Sequence, residues 1–65
     1  MQYPEVIIDD RKRLSELKYA DNKIVSFKYD EFDNLKEIID SLNGIVKFEY
    51  DILNRVTKII LIMRL

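Results

Sequence analysis

The chain has 65 residues, 48% of them hydrophobic, with 11 Lys and Arg against 12 Asp and Glu, no His and no Cys. That length admits one domain at most, and such a domain buries only about 60% of the surface its unfolded form exposes. Disulfides are excluded, imidazole and thiolate chemistry is absent, and the near-neutral balance builds no strong field for nucleic acid or an anionic membrane.

In chain order, Pro4, Val6 and Ile8 alternate as a first strand should, a proline being tolerated at a sheet edge. Leu14 to Tyr19 reads as a second strand. Val25, Phe27 and Tyr29 point one way while Ile24, Ser26, Lys28 and Asp30 point the other, the period of a half-buried strand rich in β-branched and aromatic residues. Leu35 to Ile39 is the fourth strand. Val46, Phe48 and Tyr50 against Ile45, Lys47, Glu49 and Asp51 repeat the alternation as a fifth, and Val56 to Met63 is the sixth. Asn43-Gly44 is the strongest hairpin signal, with Asn22-Lys23 in the corresponding place one copy earlier.

The even strands do not alternate cleanly, because Leu14 and Leu17, like Leu35 and Ile38, are three apart. One account is a bulge that re-aims the strand. The other is helix, near residues 11–20 and 34–43, with Leu35, Ile38, Ile39 and Leu42 on one face, Asp33 or Asn34 as cap and Gly44 as stop, giving an α+β fold. The β-branched run Val56-Thr57-Lys58-Ile59-Ile60-Leu61-Ile62 favours strand. That preference extends to the other even strands because the chain repeats itself.

Val6 to Ser26, Phe27 to Lys47 and Phe48 to Leu65 align without a gap, and Tyr29-Asp30 recurs 21 positions on as Tyr50-Asp51. Such a period implies one supersecondary unit copied in tandem, each copy relying on its neighbours to bury its apolar face. The expectation is an all-β antiparallel meander of about six strands, residues 1–65 forming a single domain of three copies (6–26, 27–47, 48–65).

Phe27-Lys28-Tyr29-Asp30 with Leu35, then Asn43-Gly44, then Phe48-Glu49-Tyr50-Asp51 with Arg55-Val56, resembles the YD repeat, also called Rhs, found in bacterial toxin shells and teneurins. The first copy departs from the pattern with Ile8 where Tyr is expected. Lys12, Asp33 and Asn54 replace the usual Gly, and of these Lys12 suits a left-handed backbone least. The resemblance implies a structural or interaction module, with relatives that are often secreted or surface-exposed; three copies cannot enclose a cargo. The residues that define the repeat are Asp9, Phe27, Tyr29, Asp30, Phe48, Tyr50 and Asp51. The three aspartates stand at strand ends, where a short carboxylate accepts the backbone N–H two residues on.

Other chemistries find little support. Phe27, Tyr29, Phe48 and Tyr50 beside Lys28 and Lys47 could stack single-stranded nucleic acid, but a sheet this small needs its aromatics for packing. Arg11-Lys12-Arg13 is a candidate phosphate contact, with half its field cancelled by Asp9-Asp10. Asp30, Glu31, Asp33 and Asn34 carry oxygen ligands in no calcium-loop spacing. Asp30 and Asp51, two strands apart, would stand about 10 Å from each other, just beyond an inverting glycosidase pair. The reading is therefore a non-enzyme without cofactor or metal, binding neither nucleic acid nor membrane. No leader of the secretory kind opens the sequence and its longest apolar run, Ile59 to Met63, is far short of the ~20 residues of a membrane helix, so a soluble chain of undetermined compartment is expected. Ile59, Ile60, Leu61, Ile62 and Met63 make a terminal strand apolar on both faces, which a native protein usually covers. A homo-oligomer, a twofold dimer first, is the expected assembly. The alternative is a small immunity, antitoxin or inhibitor protein that adds its sheet edge to a protein partner.

Overall fold

The computed structural model describes residues 3–63, so Arg64 and Leu65, the end of the third copy, lie outside the described residues. Six strands, β1 (Glu5–Ile8), β2 (Leu14–Lys18), β3 (Ile24–Tyr29), β4 (Leu35–Asp40), β5 (Gly44–Tyr50) and β6 (Val56–Met63), form one antiparallel sheet in the order of the chain. The fold is all-β. Among the described residues there is no helix, so the α+β alternative with helices near 11–20 and 34–43 is corrected.

What resembled helical spacing is a bulge repeated three times. In β4, Tyr29 pairs with Leu35 and Lys28 with Glu37, leaving Lys36 as the extra residue. Ser15 in β2 and Thr57 in β6 are extra in the same way, opposite Ile7-Ile8 and Glu49-Tyr50. An inserted residue flips the strand's facing once. Positions three apart thereby share one face, and Leu14 with Leu17, Leu35 with Ile38 and Val56 with Ile59 all look the same way.

The pairing assigns each side chain to one of two faces. The aromatic face carries Val6 and Ile8, Leu14 and Leu17, Val25, Phe27 and Tyr29, and on the later strands Leu35, Ile38, Val46, Phe48, Tyr50, Val56, Ile59, Leu61 and Met63. One row runs straight across it as Phe27, Ile38, Val46 and Leu61. On the opposite face Lys28, Glu37 and Lys47 form a ladder of alternating charge, beside a row of Ile39, Ile45 and Ile62. Such cross-strand neighbours are the unit of sheet stabilisation.

Among the described residues the sheet has no second layer. No described residue is buried, and the core sequence patterning calls for is a half-buried face of one sheet. The radius of gyration, 13.2 Å, exceeds the roughly 11 Å of a compact chain this long, and the dimensions are 40 × 33 × 17 Å.

Candidate interaction surface

The turns that follow the odd strands share one design. Lys12 donates its N–H to the Asp9 carbonyl (3.0 Å) and Asp9 to the Arg13 carbonyl (2.8 Å); Asp30 to Asn34 and Asp51 to Arg55 repeat both bonds. This is a three-residue hairpin loop closed by a residue in the left-handed region, here Lys12 (φ 63), Asp33 (φ 67) and Asn54 (φ 63). Lys12 adopts this backbone in spite of its Cβ.

Each loop is held by its aspartate. Asp9 Oδ1 accepts the N–H of Arg11 and of Arg13, Asp30 Oδ1 those of Phe32 and Asn34, and Asp51 Oδ1 those of Leu53 and Arg55, all within 2.9–3.0 Å. The second oxygen takes the side chain four residues on: Arg13 Nε at 2.9 Å, Asn34 Nδ2 at 3.4 Å and Arg55 Nε at 2.8 Å. These bonds favour the ionised form. The Arg13 N–H and guanidinium hold Asp9 below the ordinary carboxylate range, and Arg55 does the same to Asp51. For Asp30 partial desolvation pushes upward, and the N–H groups of Asn34 and Phe32 outweigh it. From sequence alone, positions 13, 34 and 55 are assigned other roles, although the period itself sets a side-chain donor four residues after every repeat aspartate.

Further contacts join one copy to the next. The Tyr29 hydroxyl donates to the Leu14 carbonyl at 2.8 Å, and the Tyr50 hydroxyl donates to the Leu35 carbonyl. Arg13 Nη1 reaches Asp33 Oδ1 at 2.7 Å, and Asn34 Nδ2 reaches Asn54 Oδ1 at 3.0 Å. Arg13 also lies 4.4 Å over the Tyr29 ring, a cation–π contact. Tyrosine hydroxyl and position 13 or 34 thus bind copies together along one end of the sheet.

The opposite end is less regular. At the β2–β3 turn Asn22 takes the positive φ (67), whereas at the β4–β5 turn it falls one place later, on Gly44 (φ 130). The side chains explain the difference. Asp40 accepts from the N–H groups of Leu42 (2.9 Å) and Asn43 (3.2 Å) and from Asn43 Nδ2 (3.0 Å), a network that Tyr19, its counterpart, cannot form. Asn43, those N–H groups and the nearby Lys23 lower the Asp40 pKa to about 2. Two shallow hollows adjoin Gly44, about 300 Å³ against Ile39, Ile45, Ile62 and Met63 and about 200 Å³ against Val25, Ile38, Val46 and Met63.

The rest of the candidate residues distribute by face. Phe27, Tyr29, Phe48 and Tyr50 are half-buried on the aromatic face, while Lys28 and Lys47 project from the other, so these two lysines do not flank the four rings. Arg11 and Arg13 are engaged by Asp33 and Asp9. Asp30 serves its own loop, and among the described residues no three acidic groups gather as a metal would require. Of the terminal strand, Ile59, Leu61 and Met63 lie on the aromatic face at 58%, 64% and 66% exposure; Ile60 and Ile62 lie on the other, Ile60 half-buried beside Lys47. Among the described residues, both β1 and β6 are sheet edges with no neighbour on their outer side.

Neither curated proteins nor solved structures gave a significant match to this chain. A family model does match: that of the RHS Repeat covers residues 29–61, from the end of β3 into β6 and half of the chain. Two aspartate-held loops, both copy-joining tyrosines and the bulges of β4 and β6 fall within that stretch, and the chain belongs to the RHS repeat family.

Proposed function

We propose that this chain, one domain of three copies over residues 1–65, is a non-catalytic structural or protein-interaction module that self-associates through its aromatic face, with Ile59, Leu61 and Met63 of β6 at the contact. A twofold dimer is the simplest assembly that covers such a face with a copy of itself. The observation carrying this reading is that no described residue is buried while one face is apolar from β1 to β6. Sheets of this kind normally rest on a second layer. The matched family is a structural repeat, and the repeat aspartates Asp9, Asp30 and Asp51 are spent on holding their own turns. On this reading the module needs no cofactor and binds neither nucleic acid nor membrane.

Light scattering over a concentration series tests it. The chain should show a dimer mass, Leu61→Lys a monomer, and Leu53→Lys, an equally exposed position at a turn tip, an unchanged dimer. A wild-type monomer at every concentration would remove self-association. It would favour the second reading, an immunity, antitoxin or inhibitor protein that binds by strand addition, to which the unpaired eight-residue edge of β6 is suited.

A further inference from the structure

The two edges of the sheet are chemically different, and the contacts that join copies show how. A copy is received by three features of the copy before it: the outer edge of an even strand, the carbonyl of its first residue and the donor just before that residue. β2 presents its edge, the Leu14 carbonyl and Arg13; β4 presents its edge, the Leu35 carbonyl and Asn34. The incoming copy supplies a tyrosine hydroxyl and, at the left-handed position of its loop, an oxygen acceptor: Tyr29 with Asp33, then Tyr50 with Asn54.

At β6 the receiving half is present again. Arg55 bonds Asp51 through Nε as Arg13 bonds Asp9, and Val56 stands where Leu14 and Leu35 stand. No described residue stands to Arg55 as Asp33 stands to Arg13. The effect is visible in exposure: the Arg13 side chain is 25% exposed and that of Arg55 is 72% exposed. At β1 the incoming half is defective. Ile8 occupies the tyrosine position and has no hydroxyl, and Lys12 occupies the acceptor position with a cation. If β6 of one molecule met β1 of another in the register of β2 with β3, Lys12 would oppose Arg55, the Val56 carbonyl would lose its donor, and Pro4 would bring no N–H to the ladder. The same register sets Glu5 against Lys58, an exposed pair worth at most about fivefold.

We infer that the β6 edge with Arg55 and the Val56 carbonyl is a docking site for a YD-type β-hairpin of a partner chain, one carrying tyrosine at its strand end and Asp or Asn at the left-handed loop position. The β1 edge fails this requirement, so the module does not add head to tail to itself. The occupant is identified by chemistry seen twice within the chain: a hydroxyl for a carbonyl, and an oxygen acceptor for a cationic or amide donor. Charge sharpens the choice at Arg55, because a bond to an ionised acceptor is about twice as strong as a neutral one and a like charge there repels.

The test uses the full chain and fluorescent hairpin probes closed at their ends by a disulfide, so that the probe is preformed. One probe has the sequence of residues 24–41 and the other that of residues 3–20. The 24–41 probe should bind, and the 3–20 probe should bind at least about tenfold more weakly. Ile8→Tyr with Lys12→Asp in the 3–20 probe should restore binding. Arg55→Ala in the protein should weaken the 24–41 probe about tenfold and leave the 3–20 probe no weaker. Equal binding of the two probes, no binding of the 24–41 probe, or indifference to Arg55→Ala would each overturn the inference. Its failure is distinct from that of self-association: a monomer that discriminates between the probes keeps this site, and a dimer that binds neither loses it.

Discussion

Lys12→Gly should make this protein more stable. Lys12 sits at φ 63, in the left-handed region, on a side chain for which no hydrogen bond or ion pair is seen to compensate. For a residue with a Cβ that backbone costs roughly 1–2 kcal/mol. Glycine relieves the cost, and in exchange gives the unfolded chain extra freedom worth about 0.4–1 kcal/mol. The balance is a gain of about 1 kcal/mol, which in a domain of this size raises the melting point by roughly 4–8 °C. The comparison is Asn54→Gly, at the same φ in the third copy, which also removes the acceptor of the Asn34 Nδ2 bond. Asparagine already tolerates this region, so that substitution should leave the melting point within a few degrees or lower it. Thermal unfolding followed by circular dichroism, at matched protein concentration because association shifts melting points, measures both. Equal shifts for Lys12→Gly and Asn54→Gly, or a fall for Lys12→Gly, would refute the assignment of strain to the first loop.

Tyr29→Phe removes a single hydroxyl while keeping its ring, and leaves the Leu14 carbonyl without that donor; a loss of about 1 kcal/mol is expected, read by urea unfolding, with a loss of about the same size for Tyr50→Phe. If both phenylalanine variants unfold at the wild-type midpoint, the hydroxyls do not join the copies. Acid should destabilise the chain in a defined window. The pKa values of Asp9, Asp30 and Asp51 are lowered from 3.8 and that of Asp40 is lowered to about 2. Because the folded values lie below the unfolded ones, the stabilisation is complete above about pH 4 to 5 and is lost as pH falls through the folded values. Melting temperature should therefore drop from pH 4 toward pH 2, less steeply in Asp40→Asn; a profile flat across that interval would show that the loop carboxylates contribute nothing to folding.

The six strands were legible because alternation, the two-residue identity of Tyr-Asp and the 21-residue period all reported the same unit. The i, i+3 spacing of Leu35 and Ile38 was the ambiguous signal, since a bulge and a helix produce it equally. Only the β-branched third copy decided between them, and the decision transferred to the other two by repetition. Asp9, Asp30 and Asp51 could be placed at loops from the period. The left-handed backbone at Lys12 could not be read from Lys12 itself, because its side chain disfavours it; the position of Asp33 and Asn54 in register is the signal. The role of Arg13, Asn34 and Arg55 as donors to these aspartates is hidden for a similar reason. They are three different-looking donors, and only their common distance from the aspartates reveals a common role. The turn at Asn43-Gly44 went the other way: an apparent match with Asn22-Lys23 conceals two geometries, because Asp40 and Tyr19 differ in what they can accept.

The energetics of the sheet set the order in which its interactions matter. Each loop or copy-joining hydrogen bond is worth on the order of 1 kcal/mol net. Fully burying one large apolar side chain is worth about 1.5–3 kcal/mol, and the aromatic face presents such side chains on all six strands without completing the burial of any. Covering that face therefore draws on a larger reserve than all the adjustments available within the loops. The loops fix the sequence of strands and the register, and with them which residues reach the open face. The proposed self-association would place a second layer against Phe27, Ile38, Val46 and Leu61, which is why a charge at Leu61 is the substitution that separates a module needing that layer from one that stands alone.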